Sequence, residues 1–474
     1  MSDEVDRDRL WLPDETMRAL GQRVVDHLVR RWSSMHRMPI PPTPAREVVR
    51  ARLAEPMPRA GKAPSEVFER AVREVLADAA PTGHPRFFGF IPSPSNQVAV
   101  LAEALAVGFN PFAGNYVEAP GPHELERVTV GWLREACGFD ESASGLFVSG
   151  GSMANLTALC VAREVKLGGE PKKSARIYVS DQAHGSIAKG LRVLGFRREC
   201  VVPVPTDDHF RMNAQVLDDL IRADRVAGKL PFAVVATAGT TNTGAVDPLE
   251  AIAAVCRRRS LWMHVDGAYG AAARLSDQQR DALRGLPLAD SMSLDPHKWL
   301  FVPYECGLVI VQEGAALART FAQAADYMDD VESDEPDLSD QGIQLTRYLR
   351  ALKVWATFQV FGADAIAAAI DRGVAQAERA AARLRAMPGW ELACDPSLAI
   401  CAFRYAPAGM DDETADALNF ELVPRLVATG EAMVTSTKLR GRRFLRMCTI
   451  SPRTTDEDVD RTLARLDALA RATS

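Results

Sequence analysis

Long apolar runs are missing from this chain of 474 residues. Nowhere do about 18 apolar residues follow one another, so no segment reads as a membrane span. The first stretch, MSDEVDRDRLWLPDE, is dense in charge and has no apolar core of the kind that drives secretion, which predicts a cytoplasmic protein. Paired cysteines are missing too. Cys137, Cys160, Cys200, Cys256, Cys306, Cys394, Cys401 and Cys448 stand without CxxC spacing or neighbouring histidines, which argues against structural zinc and suits reduced thiols. Each reads as a small buried apolar side chain or, given a site around it, as a nucleophile. An excess of one charge is also lacking. Lys and Arg number 56 against 62 Asp and Glu, a net charge of -6, and no basic stripe interleaved with aromatics appears. Nucleic acid is therefore not expected as a partner.

What is present is the balance of a soluble globular protein: 47% hydrophobic and 25% charged residues. The length exceeds one ordinary domain and predicts two or three structural units. Apolar residues recur at helical spacing over 15–31, and the stretch MPIPPTP (38–44) then stops regular structure because proline cannot donate to a helix. A second helical stretch over 65–80 precedes the turn PTGHP. Residues 1–95 thus read as a helical extension with little core, packed on a partner.

Beyond it, short apolar runs alternate with amphipathic helices: GLFVS, RIYVS, FAVVATA, LWMHVD, SMSLD and CGLVIV. This pattern predicts an α/β domain with a mostly parallel sheet over 96–352. After Tyr348 the chain reads as helical through Arg385. Strands in LAICAFRY and RFLRMCTI and a last helix over 455–470 then make a smaller α+β domain over 353–474.

Four segments carry chemistry. GLFVSGGSMANLT runs from a strand through Gly150 and Gly151 into a helix near Ser152, a place where free N–H groups favour an anion such as phosphate. Taken alone it also reads as a glycine turn with Ser152 as the helix cap. In LWMHVDGAYG, Asp266 ends a buried strand, at the edge where open α/β sheets bind ligands. A carboxylate there suits the protonated pyridine nitrogen of pyridoxal 5'-phosphate (PLP), or it caps the next turn. In ADSMSLDPHKWLFVP, Lys298 follows His297 at the same edge. Lysines at strand ends are usually solvated, but Pro296, Trp299, Leu300 and Phe301 flank this one. Burial among them predicts a lowered pKa and an amine able to form an imine. In YVSDQAHGSIAKG, His184 sits in a turn after a strand, able to stack on a planar ring. The hydroxyls of Thr240 and Thr241 close another strand, and Asp247 follows at a spacing suited to buttress His184 or the ring substituents.

Together these segments resemble the group II PLP decarboxylases of fold type I, in the aromatic-L-amino-acid decarboxylase branch. HPRFFGFIPS (84–93), PGPHELE (120–126), SDQAHGS (180–186), HVDGAYG (264–270), DPHKWL (295–300) and RALKVW (350–355) match family motifs in order, over nearly the whole chain. The resemblance implies that Ser152 and Met153 hold the cofactor phosphate, that His184 stacks on its ring and that Asp266 pairs with its nitrogen. Lys298 would carry the cofactor as an imine, with Thr241, Ala268, Asp295 and His297 completing the cofactor site and no metal required. It implies decarboxylation of an L-amino acid to the amine, with Tyr327, in the acidic stretch QAADYMDDVESDEPDLSDQG, as the catalytic acid on a lid. It also implies a homodimer with shared active sites.

Phe90, Ile91, Pro92 and Ser93, with residues from Phe109 to Tyr116, would surround the substrate side chain. No Lys or Arg in these two stretches meets an acidic side chain, so glutamate and aspartate are disfavoured. Three positions depart from the family. Phe90 stands where aromatic-selective relatives usually have tyrosine, and His123 replaces a threonine; both bear on side-chain preference. Asp295 replaces a frequent asparagine, and either weakens a phosphate contact or faces elsewhere. Arg446 matches a family arginine near the site. An aromatic substrate leads, a branched-chain one is its nearest rival, and an oxygen-dependent aldehyde synthase or a silent PLP-binding regulatory subunit are the other readings. Tyr327 and His184 favour the amine product.

Overall fold

The structure is a computed structural model that describes residues 5–92, 94–322 and 336–472. Its first helices bury few side chains. Helix α1 (Asp14–Ser34) buries only Thr16 and Leu20, and α2 (Arg46–Leu53) and α3 (Pro64–Arg70) bury no residue. The helix expected over 65–80 is not continuous: after α3 the chain passes through a wider turn at Ala71–Val75 and a tight one at Leu76–Asp78. Helix α4 (Gln97–Phe109) starts where the Asn96 side chain accepts from Ala99 N at 2.8 Å and ends at Asn110 in the left-handed region. Helix α5 (Pro120–Ala136) leads to the sheet.

There the chain alternates: β1 (Ser144–Val148), α6 (Gly151–Leu167), β2 (Ala175–Ser180), α7 (Gly185–Val193), β3 (Val201–Val204), α8 (Ala214–Val226), β4 (Leu230–Thr237), α9 (Leu249–Arg259) and β5 (Trp262–Asp266). It continues through β6 (Ser291–Leu294), α10 (Pro296–Trp299), β7 (Gly307–Val311) and α11 (Ala315–Phe321). The strand order is β1-β7-β6-β5-β4-β2-β3, and β7 runs antiparallel to both its neighbours while the other pairs are parallel. Side chains alternate between two buried layers, as pleating requires. Met263 and Val265 of β5 join the core beneath α9, and Trp262 joins the core beneath α6. Burial on both faces is why these strands read as unbroken apolar runs.

Helix α12 (Ala351–Ala386) joins this body to the second sheet and is interrupted at Gly362, whose φ of 75° lies outside helical space. That sheet is antiparallel, in the order β10-β11-β9-β8, from β8 (Trp390–Leu392), β9 (Ile400–Tyr405), β10 (Thr435–Leu439) and β11 (Arg442–Cys448). Helices α13 (Asp412–Ala428) and α14 (Asp456–Arg471) share its apolar core, and Thr455 caps α14 through a reciprocal bond pair with Asp458.

Candidate active site

Because β1, β2, β4, β5 and β6 all point the same way, the turns after them open on one edge of the sheet. A cavity of about 320 Å³ lies there, lined by residues from the start of α6, the start of α7, the loop after β4 and the ends of β5 and β6. The structure brings eleven residues singled out in the sequence into this lining: Gly150, Gly151, Ser152, Met153, His184, Thr241, Asp266, Ala268, Asp295, His297 and Lys298. Phe90 and Pro92 are not in it. Phe90 is largely exposed, at positive φ, and its carbonyl accepts from Arg446 Nη1. Ser93 and Tyr327 lie outside the described residues.

The lysine does not behave as burial alone predicts. Lys298 Nζ lies 2.9 Å from Asp295 Oδ2, in an ion pair turned into the cavity. Burial pulls the lysine pKa down, but the Asp295 charge and hydrogen bond, with Asp266 and Tyr304 beyond them, raise it above its ordinary value. The expected lowering is therefore corrected, and Asp295, open between two readings in the sequence, faces the cavity. His297 beside it is held neutral, burial driving its pKa down against the pull of Asp295, and its Nδ1 donates to the Cys306 carbonyl at 2.6 Å.

Helix α6 begins at Gly151, with Gly150 as cap residue and no side-chain cap, so Ser152 is not the N-cap. A Cβ on Gly151 would stand 2.8 Å from Ala268 Cβ and 2.9 Å from Asp295 Oδ2. Only glycine lets the helix start approach the β5 and β6 turns this closely. Asp266 is buried at the end of β5 and meets three donors: Asn155 Nδ2 at 3.0 Å, Ala268 N at 3.2 Å and Ser293 Oγ at 3.2 Å. That surrounding suits a carboxylate. The imidazole of His184 is exposed at the mouth, with Nδ1 accepting from Ser186 N at 3.2 Å and 2.8 Å from Ser186 Oγ.

Asp247 does not buttress His184. Its carboxylate accepts from Met212 N at 2.6 Å and Thr237 N at 2.7 Å and is buried, which pushes its pKa up to about 7. It ties the end of β4 to the loop before α8. Arg446, on β11, is also buried and reaches the pocket lip from the second sheet, donating to the carbonyls of Thr241 and Phe90.

Several lining residues were missed in the sequence: Ser149, Asn155, Ser186, Thr237, Gly239 and Tyr269. Tyr269 stacks on Trp299 at 4.9 Å, flooring the turn that carries Lys298. The signal for Asn155 was present, since it lies four residues after Gly151 and hence on the same face of α6. The signal for the layer behind it was the alternation Trp262, His264, Asp266, three polar-tipped residues on one face of a buried strand.

A family model described as the pyridoxal-dependent decarboxylase conserved domain matches residues 49–406. The chain is 40% identical over 471 residues to an aromatic-L-amino-acid decarboxylase of Bacillus atrophaeus, covering 98% of each. It is 34% identical over 420 residues to an L-2,4-diaminobutyrate decarboxylase of Rhizobium meliloti, covering 88% of this chain and 84% of that one. The crystal structure of Oryza sativa TDC with PLP and tryptamine superposes with a TM-score of 0.92 at 26% identity, covering 98% of this chain and 99% of that one.

Proposed function

The chain belongs to the pyridoxal-dependent decarboxylases and is a PLP-dependent amino-acid carboxy-lyase of fold type I, and from that premise we propose that its substrate is an aromatic L-amino acid, released as the amine. The observation that carries this reading is the one cavity that gathers an amine, a buried carboxylate, an imidazole and a glycine-led helix start.

PLP fits these residues on three counts. Gly151, bare of a Cβ that would strike Ala268 and Asp295, brings the helix start into the cavity wall; among the described residues buried Asp295 Oδ1 and Thr237 Oγ1 have no hydrogen-bond partner; and the donor set matches an anionic aldehyde with a basic ring nitrogen. Lys298 would attach the cofactor, Ser152 and Met153 at the helix start would take the phosphate with Thr241, and Asp266 would face the ring nitrogen. Ala268, Asp295 and His297 complete the wall. Bound PLP supplies the electron sink for the bonding pair left when carbon dioxide departs. Asp295 Oδ2 would hold the protonated Lys298 amine until the cofactor is attached, His184 would close the open face of the pocket against water, and Tyr327 would deliver the proton to the α-carbon. The resemblance ties Tyr327 and His184 to amine formation, which sets the oxidative reading second.

For the side chain, the support is 40% identity to an aromatic decarboxylase and the apolar stretches around Phe90–Pro92 and Phe109–Tyr116, which carry no Lys or Arg. A basic side chain such as that of diaminobutyrate needs an acid to meet it, and these two stretches hold no Asp or Glu. A two-fold dimer completes this reading, supported by α2 and α3, which bury nothing on their own chain, and by the exposed apolar face of α4.

The test is carbon dioxide release by PLP-loaded protein across aromatic, branched, acidic and diamino acids, with Lys298→Ala as control. Release confined to tryptophan, phenylalanine, tyrosine or hydroxylated relatives, and lost in the control, is expected. Release only from valine, leucine, isoleucine or 2,4-diaminobutyrate overturns the substrate, and peroxide with ammonia in place of amine overturns the product.

A further inference from the structure

Behind the cavity, on the α6 side of β5, a row of polar side chains is wholly buried in otherwise apolar surroundings. Trp262, His264 and Asp266 alternate along β5, and Ser291 and Ser293 of β6 lie opposite His264 and Asp266 in the parallel register. Asn155 of α6 reaches across to them. Trp262 Nε1 lies 2.9 Å from Ser291 Oγ, which lies 2.9 Å from His264 Nδ1. His264 Nε2 lies 2.9 Å from Asn155 Oδ1, and Asn155 Nδ2 reaches both Asp266 Oδ2 at 3.0 Å and Ser186 Oγ at 3.2 Å. Ser186 Oγ then meets His184 Nδ1 at 2.8 Å.

Donor and acceptor chemistry allows one direction along this row. An indole N–H only donates and an ionised carboxylate only accepts, so the two ends are fixed. Ser291 Oγ accepts from Trp262, and its own hydrogen is left for His264 Nδ1. His264 must then carry its proton on Nε2 and give it to Asn155 Oδ1. Turning the Asn155 amide over would set its oxygen against Asp266 Oδ2, two acceptors in contact, so the amide is locked with both hydrogens outward, one to Asp266 and one to Ser186. Ser186 accepts from Asn155 and donates to His184 Nδ1, which also accepts from Ser186 N. His184 is left with its hydrogen on Nε2, at the pocket mouth. Burial, against the charge of Asp266, holds His264 neutral with its pKa down at about 4, as a single-tautomer link requires.

We propose that Trp262, Ser291, His264 and Asn155 form a one-way hydrogen-bond chain that positions Asp266 and, branching at Asn155 through Ser186, sets the tautomer of His184. Asn155 and His264 are positioning residues: neither needs to touch a reacting atom, yet the two groups that flank the cofactor ring are oriented by one amide. The chain itself is a property of the apoprotein. Its consequence for PLP rests on the reading that Asp266 faces the ring nitrogen.

Two measurements separate these. In apoprotein with ¹⁵N-labelled histidine, His264 and His184 are each expected as the Nε2–H tautomer, unchanged from pH 8 to pH 6 for His264; an Nδ1–H form at either position overturns the chain. In PLP titrations followed by fluorescence, His264→Gln keeps a donor near the Nε2 position and is expected within about threefold of wild type. His264→Leu fills the space without a donor and is expected to bind PLP about tenfold or more weakly, the loss of roughly one hydrogen bond to a charged network. Equal binding by His264→Leu and wild type overturns the coupling to PLP, as does equal loss in both variants, which marks a role in shape alone. If His264→Leu does not fold, the wild-type tautomers together with His264→Gln still decide. Wild-type affinity in Asp266→Asn removes the ring-nitrogen reading and leaves the tautomer result standing.

Discussion

Gly151 has room for a hydrogen and for nothing larger. With Ala, the new Cβ would press on Ala268 Cβ and the Asp295 carboxylate, both within 3 Å, and either the helix start or the Asp295 turn must move. Gly151→Ala is expected to weaken PLP binding about tenfold or more, about 1.4 kcal/mol, while the unfolding temperature of the apoprotein changes little. Fluorescence titration beside a thermal melt checks both halves. Asp295 allows a second prediction, with a sign. Its charge raises the Lys298 pKa, and only the unprotonated amine attacks an aldehyde, so below the raised pKa attachment is slowed. Asp295→Asn removes that pull, and the pH profile of cofactor attachment, followed by absorbance in stopped flow, is expected to move to lower pH with a several-fold faster rate at pH 7. An unmoved profile would show that Asp295 does not govern the lysine charge. Both residues could be found in the sequence, Gly151 in a strand–glycine–helix turn and Asp295 three residues before a lysine. Their effect on each other could not, because it depends on two turns 144 positions apart meeting across the sheet edge.

At the scale of elements, β7 decides how tightly that edge is drawn. It crosses between β1 and β6 against their direction, and a Cβ on Gly307 would lie 2.4 Å from Gly150 Cα and 2.8 Å from Gly150 N, main chain against main chain. Neither partner is a side chain that can swing aside. Gly307→Ala is expected to cost about 1 to 3 kcal/mol, the usual penalty of overpacking, and to weaken PLP binding by displacing the Gly150 turn. Chemical denaturation of the apoprotein measures the first effect and a PLP titration the second. The strand itself was legible in CGLVIV, and so were the others of this sheet except β3, whose VVPV is short and broken by proline. Direction was harder to see. An apolar run buried on both faces looks the same either way round, and the only cue was that the single turn of α10 is too short to carry the chain back for a parallel pairing. The break in α12 at Gly362 went unread for a similar reason: a lone glycine inside a long helical pattern is often tolerated.

For the whole molecule, the unanswered question of the first 110 residues is what covers them. Helix α4 turns Ala99, Ala102 and Ala106 inward and leaves Leu101, Leu105 and Phe109 outward at 53%, 58% and 82% exposure, one above another along its other face. Helices α2 and α3 expose Val48, Leu53, Val67 and Phe68 and bury nothing. An apolar surface this extended is rare on a protein that works alone, and since Leu101 and Leu105 are more than half exposed, polar replacements there leave the core in place. Leu101→Glu with Leu105→Glu is therefore expected to keep the fold, judged by circular dichroism, while moving the sedimentation coefficient from that of a dimer to that of a monomer. Two glutamates per chain facing each other across a two-fold axis bring like charges together as well as removing apolar area, so the effect on association should exceed that of alanine at the same positions. If wild-type protein sediments as a monomer and still releases carbon dioxide at full rate, the exposed face of α4 has another purpose and the shared site is wrong. If the double variant is monomeric and inactive yet binds PLP as tightly as wild type, the partner contributes to turnover rather than to holding the cofactor.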